Sequence, residues 1–380
     1  MPHQNSVFHT MLKLLAWDAF DQAVERHGAM TDARGFSFKS QLVAMLYAQL
    51  SGAASLREIE TGLRSHADRL YHLGVSLPHR STLADANRQR PVGVFTALLG
   101  AMLQSAHRRL RRTMDGVSYL IDSTGLVLNE RSADWARFSA SACGAKLHII
   151  YDPDADCPIY AGFSAAKVND ITAAQAMPIV KGATYVFDLG YYDYAWWAEL
   201  HGAGCRIVTR LKRNTPLAVS EWRNVRPEGP ILSDRIGKLP QRQANNRHNP
   251  FSGAVREVQV RIDSGKVLRL VTNDLSSPAE AIAELYKRRW AIELFFRWVK
   301  QTLQIRKFIG TSENAVRIQI AIALIAFLLL RLAQMAQHAV HSPLAFARLV
   351  RVNLMHRRSL AQLHRPAERP PPISGQAQLI

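Results

Sequence analysis

The chain has 380 residues, 48% of them hydrophobic, with 48 lysines and arginines against 30 aspartates and glutamates, a net charge of +18. Such a length and apolar fraction exclude a disordered or fibrous chain and leave room for two or three domains with sizeable cores. The cation excess argues against an enzyme of small neutral substrates and for a polyanionic partner, DNA or RNA first and an anionic membrane surface second.

Cys143, Cys157 and Cys205 form no CxxC pair and no zinc-ligand spacing, so neither a disulfide framework nor zinc is expected, and a reducing compartment fits. The first ten residues lack the basic segment and apolar run of a signal peptide.

Residues 1–112 read as all-helical, a candidate DNA-binding domain. Segments 7–20 and 38–50 carry apolar residues at helical spacing. Ser55-Leu-Arg-Glu-Ile-Glu opens a third helix, with Ser55 as N-cap and Glu58 three residues on, a capping-box pattern. Farther on, Ser81 or Thr82 can cap a short helix that ends before Pro91. Exposed Arg64, Arg69, Arg80, Arg88 and Arg90 on short helices suit a helix-turn-helix-like DNA reader. The competing reading is a plain helical bundle with solvated arginines. Arg108, Arg109, Arg111 and Arg112 close the region.

The period then changes. Val-Ser-Tyr-Leu-Ile-Asp122 is a short apolar strand ending in an acid and a turn, and 125–129 and 146–151 are two more strands of an antiparallel meander. A helix is expected at 171–180, then a strand ending at Asp188 with a glycine turn, a helix at 193–201 and a strand at 205–211. This order predicts an α/β fold, a mixed sheet with helices packed on it, spanning 113–335. Within it, 213–270 holds five prolines and a polar, basic run at 241–250, and reads as a β-rich insertion with strands at 255–262 and 267–271. A long helix starts near Pro278, a residue suited to a first helical turn. The unbroken apolar run at 320–330 is short of the roughly 20 residues that span a bilayer, so a buried helix and no membrane partner are expected. The remainder, 336–380, is a basic helix and tail; from His341 on it carries Arg348, Arg351, Arg357, Arg358, Arg365 and Arg369 against Glu368, and disorder is expected beyond about 364.

The stretch 286–300 repays closer reading. At about 100° per residue, Tyr286, Arg289, Glu293 and Lys300 fall within roughly 60° of arc. Leu285, Ile292, Phe296, Val299 and Leu303 form a neighbouring apolar stripe. One face can pack on a core while its edge presents a carboxylate flanked by cations and a phenol. A carboxylate can hold a hard divalent cation, and cations can hold phosphates. The plain alternative is a surface helix with a charged face. Asp122 and Asp188 stand at equivalent strand ends, where sheet proteins build sites, and Glu293 can approach from a packed helix. Three such carboxylates would hold two Mg²⁺ or Mn²⁺ ions, one activating an attacking oxygen and one stabilising a leaving oxygen. A strand-end aspartate taken singly is more simply a turn former.

The spacing Tyr-x2-Arg-x3-Glu-x6-Lys, matched by Tyr286, Arg289, Glu293 and Lys300, resembles the signature of insertion-sequence transposases of the IS-four type, within the Asp-Asp-Glu superfamily. Leu-Ile-Asp122-Ser-Thr and Phe-Asp188-Leu-Gly-Tyr look like that family's first and second motifs. The stretches Phe38-Lys-Ser-Gln-Leu and Arg80-Ser-Thr-Leu-Ala-Asp-Ala-Asn resemble its N-terminal domain, so the resemblance runs over roughly 5–335. It implies a ribonuclease-H-like catalytic fold, with Asp122, Asp188 and Glu293 as catalytic metal ligands for two Mg²⁺ or Mn²⁺ ions. It implies DNA cutting and joining at terminal inverted repeats, and Tyr286, Arg289 and Lys300 gripping DNA phosphates near the cut. A homodimer assembled on double-stranded DNA, in the cytoplasm and on the nucleoid, goes with it. Three other functions compete: a nuclease of the same fold, a DNA-binding protein that has lost catalysis, and a basic membrane-surface protein. The last needs an exposed amphipathic helix, and 320–330 has no polar face.

Overall fold

Among the described residues, seven helices precede the first strand: α1 (Val7–Leu12), α2 (Trp17–Gly28), α3 (Phe38–Ser51), α4 (Leu56–Arg64), α5 (Ala67–Leu70), α6 (Arg80–Gln89) and α7 (Gly93–Leu110). The computed structural model describes residues 5–28, 35–70, 73–111, 116–242, 248–303 and 307–365. Serine hydroxyls start three of these helices. Ser6, Ser37 and Ser55 accept from the N–H groups of His9, Ser40 and Glu58 at 3.1, 3.0 and 3.2 Å. Glu58 accepts from the Ser55 hydroxyl at 3.2 Å and from the Ala54 N–H at 2.9 Å, so the expected capping box forms with its return bond one residue early. The single helix expected over 7–20 is two, because the chain turns after Leu12 and the Trp17 indole N–H donates to the Leu12 carbonyl at 3.0 Å. Helix α6 begins two to three residues earlier than Ser81 or Thr82 would allow. Its N-cap is His79, with no side-chain capping bond.

Arg90 is not the exposed DNA contact expected of it. It is buried, donates to Gln41 Oε1 at 3.0 Å and to the Ser37 and Phe36 carbonyls, and stacks 4.7 Å from the Phe38 ring. Arg69 is half-buried and bonded to the Met355 carbonyl, whereas Arg64, Arg80 and Arg88 are exposed. Arg112 lies outside the described residues. Arg90→Ala should destabilise the protein by about 2–4 kcal/mol in urea unfolding, because the carbonyls it serves stay buried without a donor.

The sheet follows. Strands β1 (Ser118–Leu128), β2 (Arg137–Ser139), β3 (Ala142–Asp152), β4 (Cys157–Ala165), β5 (Thr184–Val186), β6 (Arg206–Arg210), β7 (Ala218–Arg223), β8 (Ile231–Lys238), β9 (Val255–Arg261) and β10 (Val267–Thr272) form one sheet, with α8 (Ala133–Ala136), α9 (Asp170–Gln175) and α10 (Tyr194–Gly202) between them. The order is β2-β3-β1-β5-β6-β10-β9-β8-β7, with β4 also pairing β3, along the edge away from β1. Taken alone, β4-β3-β1-β5-β6 is three antiparallel strands followed by two parallel to the first, the ribonuclease-H-like arrangement. Strands β10 to β7 carry the same sheet onward in antiparallel steps, so the strands of 213–270 extend the central sheet.

Two expectations about this region are corrected. The segments ending at Asp122 and covering 125–129 are one strand, and the Ser-Thr-Gly between them is no turn: Gly125 pairs with Lys146 inside the ladder. The third strand of the meander is β4. The helix after it, α9, covers only Asp170–Gln175, shorter than 171–180.

Strand alternation sorts side chains onto two faces. Leu120, Ile149, Val186 and Val208 belong to one core, shared with the N-terminal helices, α12 (Trp290–Thr302) and α13 (Glu313–Met335), while α11 (Ala279–Arg288) closes onto the same side. Tyr119, Ile121, Ile150, Tyr185, Phe187 and Ile207 face a second core, filled by Trp196, Trp197 and Leu200 of α10. The 23-residue α13 is long and apolar enough to cross a membrane, yet 94% of its most apolar window is buried, against α7, α3 and α6. Helix α14 (Pro343–Asn353) packs back on α13 and α3. The expectation for the segment past 364 falls almost wholly outside the described residues, as does half of the polar run at 241–250.

Candidate active site

The parallel pairing of β1 with β5 ends at Leu120↔Val186, while β1 continues against β3 as far as Leu128. Asp122 and Asp188 each lie two residues beyond that last pair. They therefore stand side by side where the parallel part of the sheet opens, as equivalent positions of neighbouring strands. Alternation puts Asp122 on the face of Leu120, the face covered by α12, and Glu293 lies in the first turn of α12. Asp122 is thus mid-strand, not at a strand end as expected, because β1 has 11 residues where β5 has three.

Each acid is held locally. The Ser123 N–H donates to Asp122 Oδ1 at 2.8 Å. Asp188 caps a short 3₁₀ turn and accepts the Gly190 N–H at 2.7 Å. A Cβ at position 190 would stand 3.0 Å from Asp188 Oδ1, so glycine allows the carboxylate to fold over the turn. Glu293 accepts from Arg289 Nη2 at 2.6 Å, and Arg289 Nη1 lies 3.4 Å from Asp122 Oδ2. One guanidinium therefore bridges two of the three acids.

Burial pushes the Asp122 carboxyl up to about 6, and the neighbouring charges of Asp188 and Glu293 add to it, against the Ser123 N–H and Arg289. The direction shows negative charge crowded into a part-buried pocket. The donors are all carboxylate oxygens, which is the chemistry of hard divalent cations. Among the described residues no three His, Cys, Asp or Glu side chains close on one point as they stand, and Arg289 supplies the counter-charge between Asp122 and Glu293. The acids fit Mg²⁺ or Mn²⁺ in kind, with Arg289 as the group that must give way.

The remaining signature residues separate. The stretch read as one helix breaks its ladder at Arg289, between α11 and α12, where the Arg289 N–H reaches the Tyr286 carbonyl at 3.1 Å. Tyr286 is buried in the core, not in an exposed row, with the Arg289 guanidinium 5.8 Å from its ring centre. Lys300 is half-buried in the last turn of α12. The apolar stripe of Ile292, Phe296, Val299 and Leu303 packs into the core as its spacing predicts.

The sequence reading missed Asp170. Its Oδ1 accepts from the Ser123 hydroxyl at 2.7 Å and from Lys146 Nζ at 3.1 Å, and its Oδ2 is 3.5 Å from the point a Cβ on Gly190 would occupy. In sequence, Asn169-Asp170 looks like a helix start and nothing more. Only the pairing of Ser123 with His148 and of Gly125 with Lys146 shows which face it serves.

The family described as "Transposase DDE domain" matches residues 115–329, and a domain of unknown function, DUF4372, matches 3–76. The chain is 39% identical over 301 residues to a protein of Sinorhizobium fredii (strain NBRC 101917 / NGR234) named as a transposase, y4zB, covering 78% of this chain and 82% of the relative. It is 28% identical over 333 residues to one of Geobacillus stearothermophilus named as a transposase for insertion sequence element IS5377, covering 84% and 83%. A piggyBac transposase synaptic complex with hairpin DNA aligns with 96% of this chain and 81% of its own at 12% identity and a TM-score of 0.44, a likeness too low to argue from. The matched span opens just before β1 and ends inside α13, so it holds Asp122, Asp188 and Glu293, and the chain belongs to the insertion-sequence transposases with a DDE domain.

Proposed function

We propose that this DNA transposase binds the terminal inverted repeats of an insertion sequence and cuts and joins DNA strands at Asp122, Asp188 and Glu293, which would hold two Mg²⁺ or Mn²⁺ ions. The observation that carries the reading is the register. Two aspartates stand at equivalent positions past one parallel pair, on the face where α12 brings Glu293, joined to Asp122 through Arg289. Such ions, when bound, supply an activated attacking oxygen and a stabilised leaving oxygen for in-line displacement at phosphorus.

The chain's own part is positioning. Asp122 is fixed by the ladder of β1, and Glu293 by the packed stripe of α12. Arg289 has two acids as partners here, and an incoming phosphate offers its fork a bidentate replacement. Lys300 lies seven residues past Glu293, about 10 Å along the helix, within reach of a neighbouring phosphate of the same strand. Tyr286 supports Arg289 from the core instead of touching phosphate itself. A groove of about 710 Å³ runs from Arg289 between α11 and strands β8 to β10, and Arg210, Arg261, Lys266 and Lys287 line it. Asp263, Glu280 and Glu284 line it too, so with Arg289 the cations outnumber the acids five to three along the path it offers a strand leaving the site. Two copies acting as a homodimer, one per element end, and a place on the nucleoid in the cytoplasm complete the reading.

The test is an assay of end DNA with Mg²⁺. Nicked ends followed by strand-transfer products are expected. Nicking without joining would reduce the activity to that of a nuclease, and no cleavage at all would overturn the reading.

End recognition is assigned to the N-terminal helices, through exposed Arg64, Arg80 and Arg88. Affinity of the full chain for end DNA should fall steeply with salt, since each phosphate contact releases counterions. Arg80→Ala should lower the slope of log affinity against log salt by about one, read by fluorescence anisotropy. An unchanged slope in Arg80→Ala and Arg88→Ala alike would move recognition elsewhere.

A further inference from the structure

On β1 and β3 the sheet carries a polar cluster on the face opposite Asp122. Asp122 faces α12, so its neighbour Ser123 points the other way, alongside its ladder partner His148 and toward α9. There the Ser123 hydroxyl donates to Asp170 Oδ1 at 2.7 Å. Lys146, two residues from His148 on the same face, donates to the same oxygen at 3.1 Å and to the Val168 carbonyl at 2.9 Å. His148 is buried, its Nε2 bonded to Ser164 Oγ at 2.7 Å and its Nδ1 3.9 Å from Asp170.

We propose that Asp170 is a positioning residue for the Asp122 carboxylate, acting through Ser123. The peptide between Asp122 and Ser123 carries the N–H that holds Asp122 Oδ1 at 2.8 Å. Beyond Leu120 that stretch of β1 has β3 on one side and no β5 ladder on the other, so one of its edges is unsupported. Asp170 supplies support from behind: it fixes the Ser123 side chain, which fixes the peptide, which aims the carboxylate on the far face. Lys146 balances the added negative charge. Asp170 Oδ2 also lies 3.5 Å from the point a Cβ on Gly190 would occupy, so it stands beside the turn that holds Asp188. Asp170 touches neither substrate nor reacting atoms here; it acts on ligands, as outer-shell partners of metal sites do.

The inference rests on reading Asp122 as a metal ligand, and the test separates the two. Mn²⁺ binding to the full-length protein without DNA is measured by titration calorimetry, with melting temperatures alongside. Asp170→Ala should weaken Mn²⁺ about 10-fold, the lower end of the range for outer-shell partners. Ser123→Ala, which changes no charge, should weaken it by a similar factor, and the double variant by no more than either. Asp170→Asn, which still offers an oxygen to Ser123, should stay within about 3-fold of the parent, short of the range for a lost outer-shell partner. Equal losses in Asp170→Asn and Asp170→Ala would make the effect one of bulk charge and overturn the proposal. So would unchanged affinity in Ser123→Ala, or losses that multiply in the double variant. If Asp170→Ala does not fold, Ser123→Ala alone decides. Asp122→Asn is the control: unchanged Mn²⁺ affinity there would sink the ligand assignment itself, whatever Asp170 does.

Discussion

Asp122→Asn should abolish cleavage and at the same time raise the melting temperature at neutral pH. The two effects share one cause. Burial, with Asp188 and Glu293 adding, lifts the Asp122 carboxyl from its ordinary 3.8 to about 6. A carboxyl whose folded value lies above its unfolded one stabilises the fold fully below the unfolded value, and that stabilisation is lost as pH rises through the folded one. At neutral pH the folded protein therefore holds an ionised Asp122 at a cost of about 3 kcal/mol, taking roughly 1.4 kcal/mol per pH unit. Asparagine keeps the shape and removes the charge. Calorimetry near pH 7.5 should show the variant more stable by about 1–3 kcal/mol, the gap closing as pH falls from about 6 to about 4. Cleavage should be lost in Asp122→Asn, and equally in Asp188→Asn and Glu293→Gln, with end binding retained because the exposed arginines are untouched. An Asp122→Asn protein that melts lower at neutral pH, or that still cuts, would contradict this account of the site.

The candidate site was legible in the sequence as a set of local signals, and the register of the sheet is what brings them together. Tyr286, Arg289, Glu293 and Lys300 carry the spacing of one helical arc, although the helix breaks at Arg289 and Tyr286 turns into the core. Asp122 and Asp188 each close an apolar run, and that pattern survives even though the first run continues for six more residues as strand. The continuation was hidden because Ser-Thr-Gly has turn composition, and only the β3 ladder holds it extended. Arg90 misled for a similar reason. An arginine near other arginines reads as exposed, and nothing in the chain announces that the Phe36 and Ser37 carbonyls, more than 50 residues away, are waiting for it. Asp170 was out of reach because its meaning lies in a cross-strand register. Tyr286 carried the right spacing and the wrong exposure: a phenol on the edge of an apolar stripe can fall to either side, and here the core took it.

Arg289 is where two readings of the signature meet, and its variant should show both. A purely structural Arg289 would pair with Glu293 one helical turn away, and a purely functional one would wait for phosphate. The structure pairs it with Glu293 at 2.6 Å and also sets it 3.4 Å from Asp122, an acid from a different element, so it serves as counter-ion to the cluster and not only to its own helix. Arg289→Ala would leave Asp122 and Glu293 facing Asp188 with no cation between them. Without divalent metal the variant should lose about 1–3 kcal/mol, the penalty for leaving part-buried charges unpaired. Adding Mg²⁺ should return much of that loss, because a cation that binds only the folded state stabilises it by mass action. The Mg²⁺-induced rise in melting temperature should therefore be larger in Arg289→Ala than in the parent, where the arginine competes for the same oxygens. Cleavage of end DNA at saturating Mg²⁺ should still fall on the order of 100-fold, the usual effect of removing one charge-stabilising donor from such a site. The pairing of outcomes is what discriminates. Lower stability rescued by Mg²⁺ with normal cleavage would leave Arg289 a counter-ion alone. Reduced cleavage with unchanged stability would leave it a phosphate contact alone. A Mg²⁺ response no larger than the parent's would mean that the arginine does not stand where the metal must go.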